Sequence, residues 1–212
     1  MNDQSIILVG GTGVGKSTLV EGLRESFDFY LVDRRSLVDK YVLPAYEQYL
    51  KDNGIEFKRD REHRFDSTAW YKNQGNPGLA KLVERELSIN NGNLLLVDNL
   101  RGPLEIKYTI DNIPDSLFVA LDAPDEVRIK RLLGRNSDYD GLKGNQRERY
   151  LEAKAVIEKE SKNYNLAETF EMLRFLKSRA IYIDTKDKYP EECLRITLDF
   201  VLHRLGVNDE TR

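Results

Sequence analysis

Gly10-Gly11-Thr12-Gly13-Val14-Gly15-Lys16-Ser17, continued by Thr18, is the stretch on which the reading of this chain turns. It satisfies the spacing G-x-x-x-x-G-K-[ST] of a phosphate-binding loop. Its flanks agree, because the apolar run Ile6-Ile7-Leu8-Val9 leads in and a helix-patterned segment from Ser17 to Glu25 leads out. Glycines at 10, 11, 13 and 15 let the backbone curl with its N–H groups inward, where a side chain would block an anion. Lys16 supplies a point charge to the outer phosphates and Ser17 a hydroxyl to Mg²⁺, while the following helix turns its positive end to the same anion. Gly10 to Thr18 are therefore expected to bind ATP with magnesium.

Working outward, short apolar runs alternate with longer helix-patterned segments, the signature of a parallel sheet covered on both faces. The expected strands are Ser5–Val9, Phe29–Val32, Leu94–Val97, Leu117–Leu121 and Ile181–Ile183. Lys16–Ser26, Pro103–Asn112, Pro124–Leu133 and Pro190–Leu205 read as helices, with Pro103 and Pro124 in first turns and Gly206 as a stop. The fold class is α/β, a three-layer nucleotide-binding fold on a five-stranded parallel sheet. Two stretches fall outside the alternation: about 37–90, expected to be an insertion on the acceptor side, and about 134–145, expected to be a lid.

Composition narrows the classes. The chain has 212 residues, 40% hydrophobic and 33% charged, which suits one globular domain. A formal net charge of -3 gives no general attraction to phosphate backbones, so nucleic acid is not the favoured partner. Cys193 is the only cysteine, which excludes an intrachain disulfide and points to a reducing cytoplasm. A strand reached within a few residues of Met1 leaves no room for a signal peptide, and no apolar run approaches membrane-spanning length.

The chemistry should gather where the strands end, at the C-terminal edge of the sheet. Asp98 closes the run Asn93 to Val97, where a carboxylate can hold a water of the Mg²⁺ shell. Asp33 closes Phe29 to Val32 and is followed by Arg34 and Arg35. It either accepts a proton from an attacking hydroxyl or caps a helix beginning near Ser36, and the arginines can hold an anionic acceptor. Arg101 lies three residues beyond Asp98, within reach of the acceptor. Arg128, Arg131 and Arg135 recur at i, i+3 and i+7, which places them on one helical face that a polyanion would relieve of self-repulsion.

These pieces resemble the P-loop small-molecule kinases of the nucleoside and nucleotide kinase superfamily, in particular adenylate kinase and dephospho-CoA kinase. Asp98-Asn99-Leu100-Arg101 is similar to that family's D-G-x-x-R turn, with Asn99 where glycine is usual. Arg131-Leu132-Leu133-Gly134-Arg135 looks like its R-[IL]-x-G-R lid entry. Val32-Asp33-Arg34-Arg35 resembles the V-D-A-D segment of dephospho-CoA kinase, with Arg35 in place of the second aspartate. The resemblance implies donor contacts from Lys16, Arg131 and Arg135, metal organisation by Ser17 and Asp98, and acceptor contacts from Asp33, Arg35 and Arg101.

Together the residues predict a kinase moving the γ-phosphoryl group of ATP to a small acceptor, a nucleoside or deoxynucleoside monophosphate. Two alternatives stay open. One is a kinase acting on nucleic-acid ends or on an alcohol like dephospho-CoA, to which the charged stretch Lys58 to Arg64 could contribute. The other is a regulatory ATPase that switches conformation with bound nucleotide.

Overall fold

A computed structural model describes residues 4–58, 61–90, 92–98, 100–134 and 144–206. Strand β1 (Ser5–Val9) is buried along its whole length, as an alternating strand must be when both faces of its sheet are covered. It feeds the phosphate-binding loop and helix α1 (Lys16–Arg24). β2 (Tyr30–Asp33) runs directly into α2 (Arg34–Leu37), a π-helical turn (Val38–Val42) and α3 (Leu43–Asp52). Helices α4 (Arg61–Asn73) and α5 (Ala80–Ile89) complete the stretch before β3 (Leu95–Asp98). Then come α6 (Pro103–Asn112), β4 (Leu117–Asp122), α7 (Asp125–Leu133), α8 (Gln146–Tyr164) and α9 (Leu166–Arg174). A 3₁₀ turn leads into β5 (Ala180–Asp184), and α10 (Pro190–Leu205) closes the order, capped by Gly206 in the left-handed region.

The strands form one sheet in the order β2-β3-β1-β4-β5. β2 and β3 pair in parallel from Tyr30↔Leu95 to Asp33↔Asp98, and β4 and β5 from Phe118↔Ala180 to Asp122↔Asp184. Each of the five expected strands is present; β2 and β3 start one residue later than expected and end on Asp33 and Asp98, while β4 extends to Asp122 and β5 spans Ala180–Asp184. This is the P-loop nucleotide-binding fold. Among the described residues no helix is long and apolar enough to cross a membrane.

Two compact units divide the chain. The first holds the start of the chain to Ile7, Phe29–Leu100 and Leu104–Ser116; the second holds Leu8–Asp28, Arg101–Pro103 and the chain from Leu117 onward. In the first unit the described part of 37–90 carries the π-helical turn, α3, α4 and α5, with no strand among its described residues. An ion pair from Arg34 to the buried Glu105, at 3.0 Å, ties α2 to α6, and the same carboxylate accepts from the Leu79 amide at 2.9 Å. Glu86, also buried, ties α5 to the π-helical turn by accepting from Lys40 at 2.6 Å and from Tyr41. In the second unit Ile129 and Leu132 of α7 pack against Ala153 and Ile157 of α8, which fixes these two helices on each other.

Candidate active site

The second unit contains the phosphate-binding loop. Gly10, Gly13 and Gly15 have φ of 154°, 86° and 103°, the left-handed half of conformational space that glycine alone enters cheaply. At Gly10 there is a second reason, since a Cβ would lie 2.4 Å from the Leu121 carbonyl oxygen. The Lys16 ammonium reaches back across the curl and donates to the carbonyls of Gly10 and Gly11, each at 2.8 Å. Ser17 and Thr18 are exposed on the first turn of α1, at its positive end.

Two arginines of α7 donate to the carbonyls of this loop. Arg128 donates through Nε to the Thr12 carbonyl at 2.8 Å, and Arg131 through Nη1 to the Gly13 carbonyl at 3.3 Å. Arg131 also donates to the hydroxyl and carbonyl of Thr185, at 2.9 and 2.5 Å. Thr185 is buried, and its hydroxyl lies 3.1 Å from the Val14 carbonyl, so the turn after β5 backs the loop. Arg135 lies outside the described residues, as does most of the expected lid. Arg128 departs from expectation: its guanidinium is buried and bonded to Asp125 and Glu160, so its charge is already met. Burial decides this, because an unpaired buried guanidinium would cost several kcal/mol, of order 3–5.

Glu160, on α8, is the residue that the sequence reading missed. Its carboxylate accepts from the Thr12 amide at 3.0 and 2.8 Å and from the Thr12 hydroxyl at 2.9 Å. It pairs with Arg101 at 2.7 Å and with Arg128 more closely still. Its signal lay in helical spacing: Ala153, Ile157 and Glu160 are i, i+4 and i+7 on the buried face of α8, where a carboxylate has no place without partners. Burial alone would push its pKa up, but the Arg101 guanidinium, the Thr12 amide and Arg128 outweigh that and hold it below its ordinary 4.5. A folded pKa below the unfolded one gives stability that is complete above 4.5 and lost as pH falls through the depressed value. Acid unfolding of wild type and Glu160→Gln, followed by circular dichroism, should show a shallower acid limb in the variant.

In the first unit, Asp33 and Asp98 are Cα partners at the ends of β2 and β3. Asp33 caps α2, its Oδ1 accepting from the Ser36 amide at 2.9 Å. Arg34, which the sequence offered as an acceptor contact, pairs with the buried Glu105 carboxylate at 3.0 Å. Arg35, half-exposed, lies 3.8 Å from Asp39, which also accepts from Arg64 at 3.0 Å. Trp70 packs against Tyr46 and Tyr49, with centroids 5.6 and 5.5 Å away, which makes it part of the α3–α4 contact.

A family model described as an AAA domain matches residues 6–152. Among solved structures, TT1252 from Thermus thermophilus is similar with a TM-score of 0.54 and 20% identity, covering 97% of this chain and 99% of that one. An unliganded sugar kinase from Janibacter sp. HTCC2649 is similar with a TM-score of 0.50 and 16% identity, over 93% and 94% of the two chains. At these identities the likeness is one of fold. No curated protein matches the sequence.

Proposed function

This chain belongs to the AAA domain family, and on that premise we propose that it is an ATP- and magnesium-dependent phosphotransferase acting on a small anionic acceptor, a nucleoside or deoxynucleoside monophosphate. The observation that carries this reading is the phosphate-binding loop itself, with Lys16 curled across it and Arg131 of α7 set against it. Arg131 donates to the Gly13 carbonyl, and Arg101 joins the loop through Glu160. Phosphoryl transfer asks for positioning and for positive charge around the moving group, and a module that only binds nucleotide needs no such cluster. The fold shared with a sugar kinase agrees.

The parts divide as follows. Gly10 to Ser17 cradle the donor phosphates, with Lys16 as the cation beside them. The exposed Ser17 hydroxyl is a hard oxygen donor of the kind magnesium accepts, and Asp98 is assigned to order a water of the metal shell. When bound, magnesium neutralises charge on the phosphate oxygens. Arg131 and Arg135 hold the transferring group, while Arg101 and Arg35 hold the acceptor. An acceptor phosphate is already ionised and needs no general base, which suits an Asp33 that spends one oxygen on capping α2.

The test is a panel of nucleoside and deoxynucleoside monophosphates, nucleosides, sugars, dephospho-CoA and oligonucleotides incubated with labelled ATP and magnesium, with products identified by mass. A monophosphate converted to its diphosphate is the expected result. Acceptor-independent release of phosphate, or label confined to oligonucleotide ends, would overturn the acceptor assignment.

A further inference from the structure

We propose that Glu160 is a positioning residue for this transfer: one carboxylate on α8 fixes both the Thr12 peptide of the phosphate-binding loop and the guanidinium of Arg101. The inference rests on the reading above, in which that loop holds the donor and Arg101 the acceptor.

The geometry is a closed circuit. Thr12 gives its amide and its hydroxyl to Glu160, and its carbonyl accepts from Arg128, which is itself paired with Glu160. The Thr12 peptide is thus held from both sides. The other arm of the same carboxylate holds Arg101. Tyr164, one helical turn after Glu160, places its ring 5.3 Å from that guanidinium. Behind Arg101 the backbone is pressed close, since a Cβ at Gly102 (φ 91°) would lie 3.0 Å from the Tyr164 carbonyl oxygen.

Stability gives little reason to build such a cluster. A buried ionic network adds little over an apolar one of the same shape, and its best-attested return is a defined arrangement. Here the arrangement joins the two halves of the proposed reaction. Glu160 sits on a helix fixed to α7 by apolar contacts, and α7 carries Arg128 and Arg131. Donor loop, acceptor arginine and α7 arginines are therefore held in one frame before any substrate arrives, which is what a positional mechanism requires.

The experiment has two readouts on Glu160→Gln. Amide hydrogen exchange of wild type and variant needs no substrate; about tenfold faster exchange is expected both in the Gly10–Ser17 segment and around Arg101. Unchanged exchange in either segment would overturn the proposal. Kinetics supply the second readout. The variant should lose roughly 30-fold in kcat while KM for ATP moves less than about threefold, and in an Arg101→Ala background the same change should cost about tenfold or less, because only the Thr12 arm remains to be lost. Losses that simply multiply would mark Glu160 as a structural brace and overturn the proposal. If wild type phosphorylates nothing in the panel, the kinase reading fails, yet exchange still decides the part of Glu160. Should the glutamine variant not fold, Glu160→Asp keeps the charge but shortens its reach, and the same two readouts apply.

Discussion

Replacing Lys16 with alanine is expected to cut phosphoryl transfer by at least about a thousandfold, some 4 kcal/mol of transition-state stabilisation, while the fold survives. The two effects separate because Lys16 has two jobs of unequal size. In the structure it donates to the Gly10 and Gly11 carbonyls. Each such bond contributes about 1 kcal/mol net. A stability loss of about 1–2 kcal/mol corresponds to a melting shift of only a few degrees for a chain of this size. The catalytic job is larger, because a cation beside the transferring group acts where charge moves. Single-turnover kinetics with saturating magnesium and ATP, beside a thermal melt of the same preparation, measure both. Turnover close to wild type in a folded Lys16→Ala protein would remove the site from this loop.

What could be read beforehand follows from the range of the interactions involved. The loop and β1 were legible because their signals are local: glycines at fixed offsets and an uninterrupted apolar run act within ten residues of each other. The β4–α7 and α10 segments were legible for the same reason, with prolines marking first turns and Gly206 marking a stop. Glu160 was not, since its partner Thr12 is 148 residues away and its neighbours on α8, among them Glu152 and Glu158, are chemically the same. Only the burial of one face of α8 sets it apart. Arg128 misled for a related reason. Spacing correctly placed it on one face of α7 with Arg131, but spacing says nothing about depth, and depth turned a phosphate-seeking cation into a buried partner of Glu160. Arg34 followed the same course once Glu105 lay opposite it. Sequence reading found the charges, and packing paired some of them with buried carboxylates.

That distinction yields the second large effect: Arg128→Ala should unfold the protein far more readily than Arg131→Ala, although the two residues stand one turn apart on one helix. Arg128 is 4% exposed and ties the Thr12 carbonyl, Asp125 and Glu160 together. Its removal opens a void and leaves the Glu160 carboxylate with Arg101 as its remaining cation, a loss of about 3–5 kcal/mol or roughly 10 °C in melting temperature. Arg131 is only part-buried, and its bonds go to a hydroxyl and two carbonyls, so its truncation leaves no unpaired charge. For Arg131→Ala a melting shift of a few degrees should accompany a turnover loss of about a hundredfold. Melting curves and turnover per folded molecule for both variants test the ordering, and equal melting temperatures would refute it. A further variant separates charge from shape. If the cost of Arg128→Ala lies in the stranded carboxylate, adding Glu160→Gln should raise the melting temperature above that of Arg128→Ala alone. If it lies in the void, the second change should lower stability further, because filling and not charge would then hold this corner of the loop together.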